Sequence, residues 1–165
     1  IDQNKKSYKT DNFSKARKKD IKKALKTINT AIKPVIIVGG GIKYKGNYGD
    51  VIKLAELLNS PIVTSAGHGD AIPFDYKLHA GQMGPRGNPV ASRLVKEADV
   101  LIALGTRLGF NSTFYSYENL NKKAKIIQIE LEKKMIGRYF PVSVGICADA
   151  STVAKQLSDE IKHNK

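Results

Sequence analysis

The sequence has no tryptophan and a single cysteine, Cys147. One cysteine cannot close an internal disulfide, so a reducing cytoplasm is the expected compartment. No apolar run reaches the roughly 18 residues of a membrane span. The lysine-rich start also lacks the apolar stretch of a secretory signal, and no membrane partner is expected. One cysteine and scattered histidines give no metal-ligand spacing, so no metal site is assigned. Two nucleotide motifs are missing as well. The stretch Gly39, Gly40, Gly41, Ile42, Lys43, Tyr44, Lys45, Gly46 is not G-x-G-x-x-G, and no Gly-Lys-Ser/Thr follows it. His68 and His79 sit in glycine-rich loops without a Ser, Cys or metal-ligand partner at a suggestive spacing, so no residue is given a catalytic role.

What is present is ordinary for a globular domain. With 165 residues, 41% hydrophobic and 26% charged, the chain is long enough for one domain with a real core and too short for two catalytic ones. The formal charge of +13 is uneven. Residues 1–34 carry 11 Lys/Arg against Asp2, Asp11 and Asp20, a net +8, while residues 35–165 carry 17 against 12, a net +5. The arm has few interleaved aromatics and no nucleic-acid motif, so a solvated lysine face is favoured over a phosphate-binding surface. Residues 1–13 read as a flexible basic arm and 14–165 as a single domain.

The periodicity predicts a helix through Ile21, Ala24, Leu25, Ile28, Ala31 and Ile32, with Ser14 or Asp20 near its start and Pro34 as its stop. Val35 to Val38 then form a β-branched strand ending in Gly39-Gly40-Gly41. Asp50 opens a second helix, and Pro61 starts the strand Ile62-Val63-Thr64. A helix through Val90, Leu94 and Val95 follows, then strands at Val100–Leu104, Ile126–Ile129 and Val142–Ile146, and a closing helix over residues 150–162. A further strand is expected around Leu78 to Ala80. Continuous apolar strands alternating with helices mean burial on both faces and right-handed crossovers. The class is therefore α/β: a doubly wound, mostly parallel sheet of five or six strands with helices on both faces.

In such sheets ligands bind outside the carboxyl ends of the strands, where strand order reverses. Those ends carry Gly39, Gly40, Gly41, Thr64, Gly105, Arg107, Glu130 and Asp149, a set of glycines, donors and acids suited to a nucleotide. The triple glycine is equally readable as a tight strand-to-helix connection. Cys147, in the apolar stretch Ser143 to Cys147, reads as a small buried hydrophobe.

Four segments together carry a resemblance: Lys33 to Gly41, Ala98 to Gly109, Ala124 to Glu130, and Ser143 to Ala150. Their order and separation resemble the central domain of thiamine diphosphate-dependent enzymes of the acetolactate synthase type, over nearly all of the chain from Ser14 onward. Within that superfamily, the loop Leu104 to Gly109 and the block Lys134-Met135-Ile136-Gly137 with Val142 to Cys147 are most similar to the sulfoacetaldehyde acetyltransferase branch. That branch converts sulfoacetaldehyde and phosphate to acetyl phosphate and sulfite. Acetolactate synthase, glyoxylate carboligase and oxalyl-CoA decarboxylase share the same domain, and a free-standing adenine-nucleotide module stays open as an alternative.

The resemblance implies that thiamine diphosphate and magnesium are bound by two flanking domains of the same chain, in a full-length enzyme that forms homo-oligomers. A Gly-Asp-Gly motif, which those relatives use to hold the metal, does not occur here. The chain on its own is therefore expected to be inactive. The resemblance further implies that Gly39, Gly40 and Gly41 match phosphate-side glycines, Gly105 and Arg107 a flavin-side loop, and Glu130 and Asp149 acids near the adenosine end. FAD is disfavoured by three departures. Leu108-Gly109-Phe110-Asn111 stands where the acetolactate loop has Phe-Asp-Asp-Arg, Glu130 stands for an Asp, and Ala148 for a Gly. ADP stays open, with weak binding expected, because the extra methylene of Glu130 should weaken a ribose contact by about 1–2 kcal/mol.

Overall fold

The computed structural model describes residues 15–45 and 48–163, so the basic arm read over 1–13 lies outside the described residues. All six strands are parallel. They are β1 (Pro34–Val38), β2 (Ile62–Thr64), β3 (His79–Gln82), β4 (Val100–Leu104), β5 (Lys125–Glu130) and β6 (Val144–Cys147), in the order β3-β2-β1-β4-β5-β6. Side chains alternate across a strand, so strands β1, β4 and β5 each feed two cores. Ile36 and Val38 of β1, Ile102 and Leu104 of β4 and Ile127 and Ile129 of β5 pack with the helices α1 (Lys18–Ile28), α2 (Gly49–Leu58) and α5 (Ala150–His163). Val35 and Ile37, Leu101 and Ala103, and Ile126 face the opposite way, toward α3 (Pro89–Glu97), Met83, Leu120 and Phe140. Burial of both faces explains why the strands read as unbroken apolar runs.

Helix α1 ends at Ile28, four residues short of the apolar periodicity, and Ile32 is 87% exposed. The cause is distant in sequence. The carboxylate of Asp99, at the entrance to β4, accepts the backbone N–H groups of Ile32 (2.7 Å) and Lys33 (2.9 Å). Those amides cannot also continue a helix, so the chain turns before Pro34. Helix α3 differs by one register position. Asn88 accepts the Val90 N–H at 2.7 Å with Pro89 at the first turn, and this start buries Ala91 and Val95 while Val90 stays exposed.

Strand β6 spans Val144–Cys147 and alternates buried with exposed residues. It is an edge strand with a helix on only one side, so Gly145 and Cys147 look outward, and Cys147 is exposed rather than the buried hydrophobe its apolar neighbours suggest. A one-turn helix, α4 (Phe110–Thr113), follows β4 and carries no periodicity long enough to be legible.

Candidate functional site

The strand order reverses between β1 and β4, and the two strands separate at their carboxyl ends into the loops that start at Gly39 and Gly105. These loops touch before they part. The Gly39 N–H donates to the Leu104 carbonyl at 2.9 Å and the Gly41 N–H to the Gly105 carbonyl at 3.0 Å. A methyl group on Gly39 would lie 2.3 Å from the Gly105 oxygen, and one on Gly41 2.6 Å from the Gly105 Cα. One on Gly40 would meet the His68 ring at 2.7 Å, and Gly105 itself has φ +60°. Glycine is therefore required here for close packing, and two of the three amides in the triple glycine are already spent on the Leu104 and Gly105 carbonyls.

Beyond that contact lies a crevice of about 560 Å³, within the ordinary range for a small-molecule site. One wall is Gly39, Gly40, Gly41 and Lys43; the other is Gly105, Thr106, Arg107 and Glu130; Ser65, Ala66, His68 and the start of α4 close it. A second hollow of about 480 Å³ shares Ala66, Phe110 and Asn111 with the first and continues toward Arg86 and Phe114. The crevice floor is held by hydroxyls. Ser65 Oγ donates to Thr106 Oγ1 at 2.7 Å, the Leu108 N–H donates to that same oxygen, and the Ala66 N–H donates to Ser112 Oγ at 3.0 Å. Buried Gln128 ties the β4 loop to the β5–β6 loop, its amide donating to the Thr106 carbonyl while its carbonyl accepts the Gly137 N–H at 2.8 Å.

The structure thus brings together six of the residues singled out from sequence: Gly39, Gly40, Gly41, Gly105, Arg107 and Glu130. Two stand apart from the crevice. Thr64 is fully buried beneath it, and its neighbour Ser65 supplies the lining side chain. Asp149 is fully buried at the N-terminus of α5, where its Oδ1 accepts the Thr152 N–H at 2.7 Å and the Thr152 hydroxyl at 2.6 Å. It caps a helix. Glu130 lines the crevice but folds its Oε1 back onto the N–H groups of Leu131 (3.0 Å) and Glu132 (3.4 Å).

Lys43, Ser65, His68, Asn111 and Ser112 also line the crevice. Ser65 and His68 follow β2, Asn111 and Ser112 lie in α4 and Lys43 follows β1, so these residues reach the crevice from three strand-end segments that no single window of sequence joins. Lys43 is hydrogen-bonded to Asp70, whose carboxyl is held below the usual range by that bond. Arg107 bonds Glu132 at 3.2 Å, and Lys134 holds the other oxygen of Glu132 at 2.7 Å. The Lys134 hydrogen bond chiefly holds the Glu132 carboxyl low. Among the described residues no group of three or more His, Cys, Asp or Glu is placed to hold a metal ion. No helix among them is long and apolar enough to cross a membrane.

Comparison with known proteins agrees with this architecture. Residues 21–157 match the family model described as the central domain of thiamine pyrophosphate enzymes. The sulfoacetaldehyde acetyltransferase of Roseovarius nubinhibens is 40% identical over 136 residues, covering 81% of this chain and 23% of that protein. The enzyme of the same name from Castellaniella defragrans is 38% identical over 130 residues, covering 78% of this chain and 22% of its own length. A probable acetolactate synthase large subunit of Methanococcus aeolicus is 33% identical over 145 residues, covering 88% of this chain and 24% of that protein. The chain therefore spans about a quarter of the length of these relatives.

Proposed function

The chain belongs to the thiamine pyrophosphate enzyme central-domain family, and from that premise we propose that it is the central domain of a sulfoacetaldehyde acetyltransferase-type enzyme. In this reading it joins the two flanking thiamine-binding domains and offers the β1/β4 crevice to a small adenine nucleotide, while the acetyl-transfer chemistry belongs to the rest of the enzyme. The observation that carries the branch is the 40% identity to the Roseovarius enzyme, against 33% to the acetolactate synthase relative.

Thiamine diphosphate with magnesium does not fit this chain's own donors. A Mg²⁺-diphosphate group asks for several carboxylate and carbonyl oxygens around the metal, and among the described residues the crevice presents one carboxylate, Glu130, whose Oε1 is turned onto the Leu131 and Glu132 amides, beside Lys43, Arg107 and the hydroxyls of Ser65 and Ser112. Those groups suit an anion without a metal. A nucleotide phosphate would be held chiefly by side chains, since the Gly39 and Gly41 amides are engaged with the Leu104 and Gly105 carbonyls. Phe110 at the crevice edge offers a ring face to a base. Flavin is disfavoured by the loop after Arg107, where Leu108 is buried and Gly109 has no polar side chain to present.

The test is calorimetric titration of the purified chain with ADP and with FAD, together with its visible absorption spectrum. A colourless protein that binds ADP weakly and FAD not at all is expected. Co-purification with stoichiometric yellow flavin, or no heat with ADP at millimolar concentration, would overturn the nucleotide assignment.

A further inference from the structure

Among the described residues, the Lys and Arg side chains that line the crevice, Lys43 and Arg107, are both tied to carboxylates outside it. Lys43 follows β1 and pairs with Asp70, which follows β2; Arg107 follows β4 and pairs with Glu132, which follows β5. Because β2 and β5 lie on the outer sides of β1 and β4, each carboxylate draws its cation away from the switch point. Neither Asp70 nor Glu132 lines the crevice. From this geometry we infer that Asp70 and Glu132 are competing counter-ions that hold Lys43 and Arg107 in reserve, and that an anionic ligand seated between β1 and β4 takes both cations from them.

The exchange is inexpensive on both sides, which suits a transferable cation. Asp70 is 74% exposed at its side chain, so water solvates the carboxylate once Lys43 leaves. Glu132 keeps Lys134 at 2.7 Å when Arg107 leaves. Exposed ion pairs are worth only about 0.2–1 kcal/mol, whereas a cation bonded to a phosphate inside a crevice gains a charge-assisted hydrogen bond. The carboxylates therefore lower affinity without abolishing it, and they select for ligands bearing enough charge to displace them. The device rests on the nucleotide reading for its natural occupant, but it stands or falls on the anion alone.

Two probes separate the two ideas: ADP, and inorganic pyrophosphate, which carries the charge without the nucleoside. Each is titrated calorimetrically into wild type, Asp70→Asn, Glu132→Gln, and the double variants Lys43→Met/Asp70→Asn and Arg107→Met/Glu132→Gln, with circular dichroism to verify folding. Asp70→Asn and Glu132→Gln should each tighten both probes about two- to fivefold, the size of an exposed ion pair. Removing the released cation should cancel the gain. The gain should also vanish in 1 M NaCl, because exposed charges are then screened within about 3 Å. If both probes bind wild type and the carboxylate variants leave affinity unchanged or weaken it, the reserve-cation inference is wrong and the nucleotide reading survives. If the variants tighten pyrophosphate but ADP gains nothing over it, the inference holds and the nucleoside is not the occupant. Absence of binding by either probe to every variant overturns both.

Discussion

Gly41 and Gly105 meet face to face where the sheet changes direction, the Gly41 N–H donating to the Gly105 carbonyl at 3.0 Å with no room for a side chain between them. The contact closes the base of the crevice and sets the distance between its walls. Gly41→Ala would force a methyl group to within 2.6 Å of backbone, which cannot rotate out of the way. A loss of about 1–3 kcal/mol is expected, the scale of an overpacked core, seen as a fall of several degrees in Tm. Gly109→Ala is the control. Nothing lies within 4 Å of the methyl group it would add, and its Tm should match wild type.

Asp149 acts through helix α5. Asp149→Ala should cost about 1 kcal/mol in urea unfolding, the usual loss for an N-cap side chain. Its ADP affinity should equal that of wild type, because the cap lies outside the crevice. A selective loss of ADP binding without a loss of stability would place Asp149 in the site after all.

The turn between α1 and β1 predicts a pH dependence. Burial pushes the Asp99 carboxyl up, but hydrogen bonds from the Ile32 and Lys33 amides outweigh it, and the group lies below its ordinary value. A carboxyl depressed on folding contributes stability that is present above its unfolded value of about 3.9 and lost as the pH falls through the folded one. Asp99→Asn should therefore lower the urea midpoint at pH 7, and the gap from wild type should begin to narrow once the pH falls below about 3.9. A gap independent of pH would show that the charge of Asp99 plays no part.

Cys147 faces solvent at the edge strand, its Sγ 3.3 Å from the Leu131 carbonyl. Native protein should react stoichiometrically with a thiol reagent such as dithionitrobenzoate within minutes, without denaturant. Labelling that requires unfolding would return Cys147 to the buried role its neighbours suggest.

Much of the fold was legible because its strands are buried on both faces. The run Val100 to Leu104 matches β4 residue for residue, and Ile62-Val63-Thr64 matches β2. Strand β3 was faint for a physical reason: His79, Ala80, Gly81 and Gln82 are only half-buried at a sheet edge and carry no apolar run. The end of α1 was misplaced because a carboxylate 67 positions from Ile32 stops it. At the site, glycines and the strand-end Arg107 were visible, since strand-to-turn punctuation is local. What the glycines do was not, because Gly41 and Gly105 come together only through the pairing of β1 with β4. The same holds for Lys43 with Asp70 and Arg107 with Glu132, pairs that no window of sequence contains.

We propose that this chain supplies a scaffold and a ligand crevice, and that the thiamine chemistry resides in flanking domains. The deciding assay is acetyl phosphate formation from sulfoacetaldehyde and phosphate, with thiamine diphosphate and Mg²⁺ added and the full-length Roseovarius relative run alongside. The purified chain should give no acetyl phosphate above the enzyme-free blank while the relative turns over. Turnover by the chain alone that scales with its concentration would show that it carries the thiamine chemistry itself.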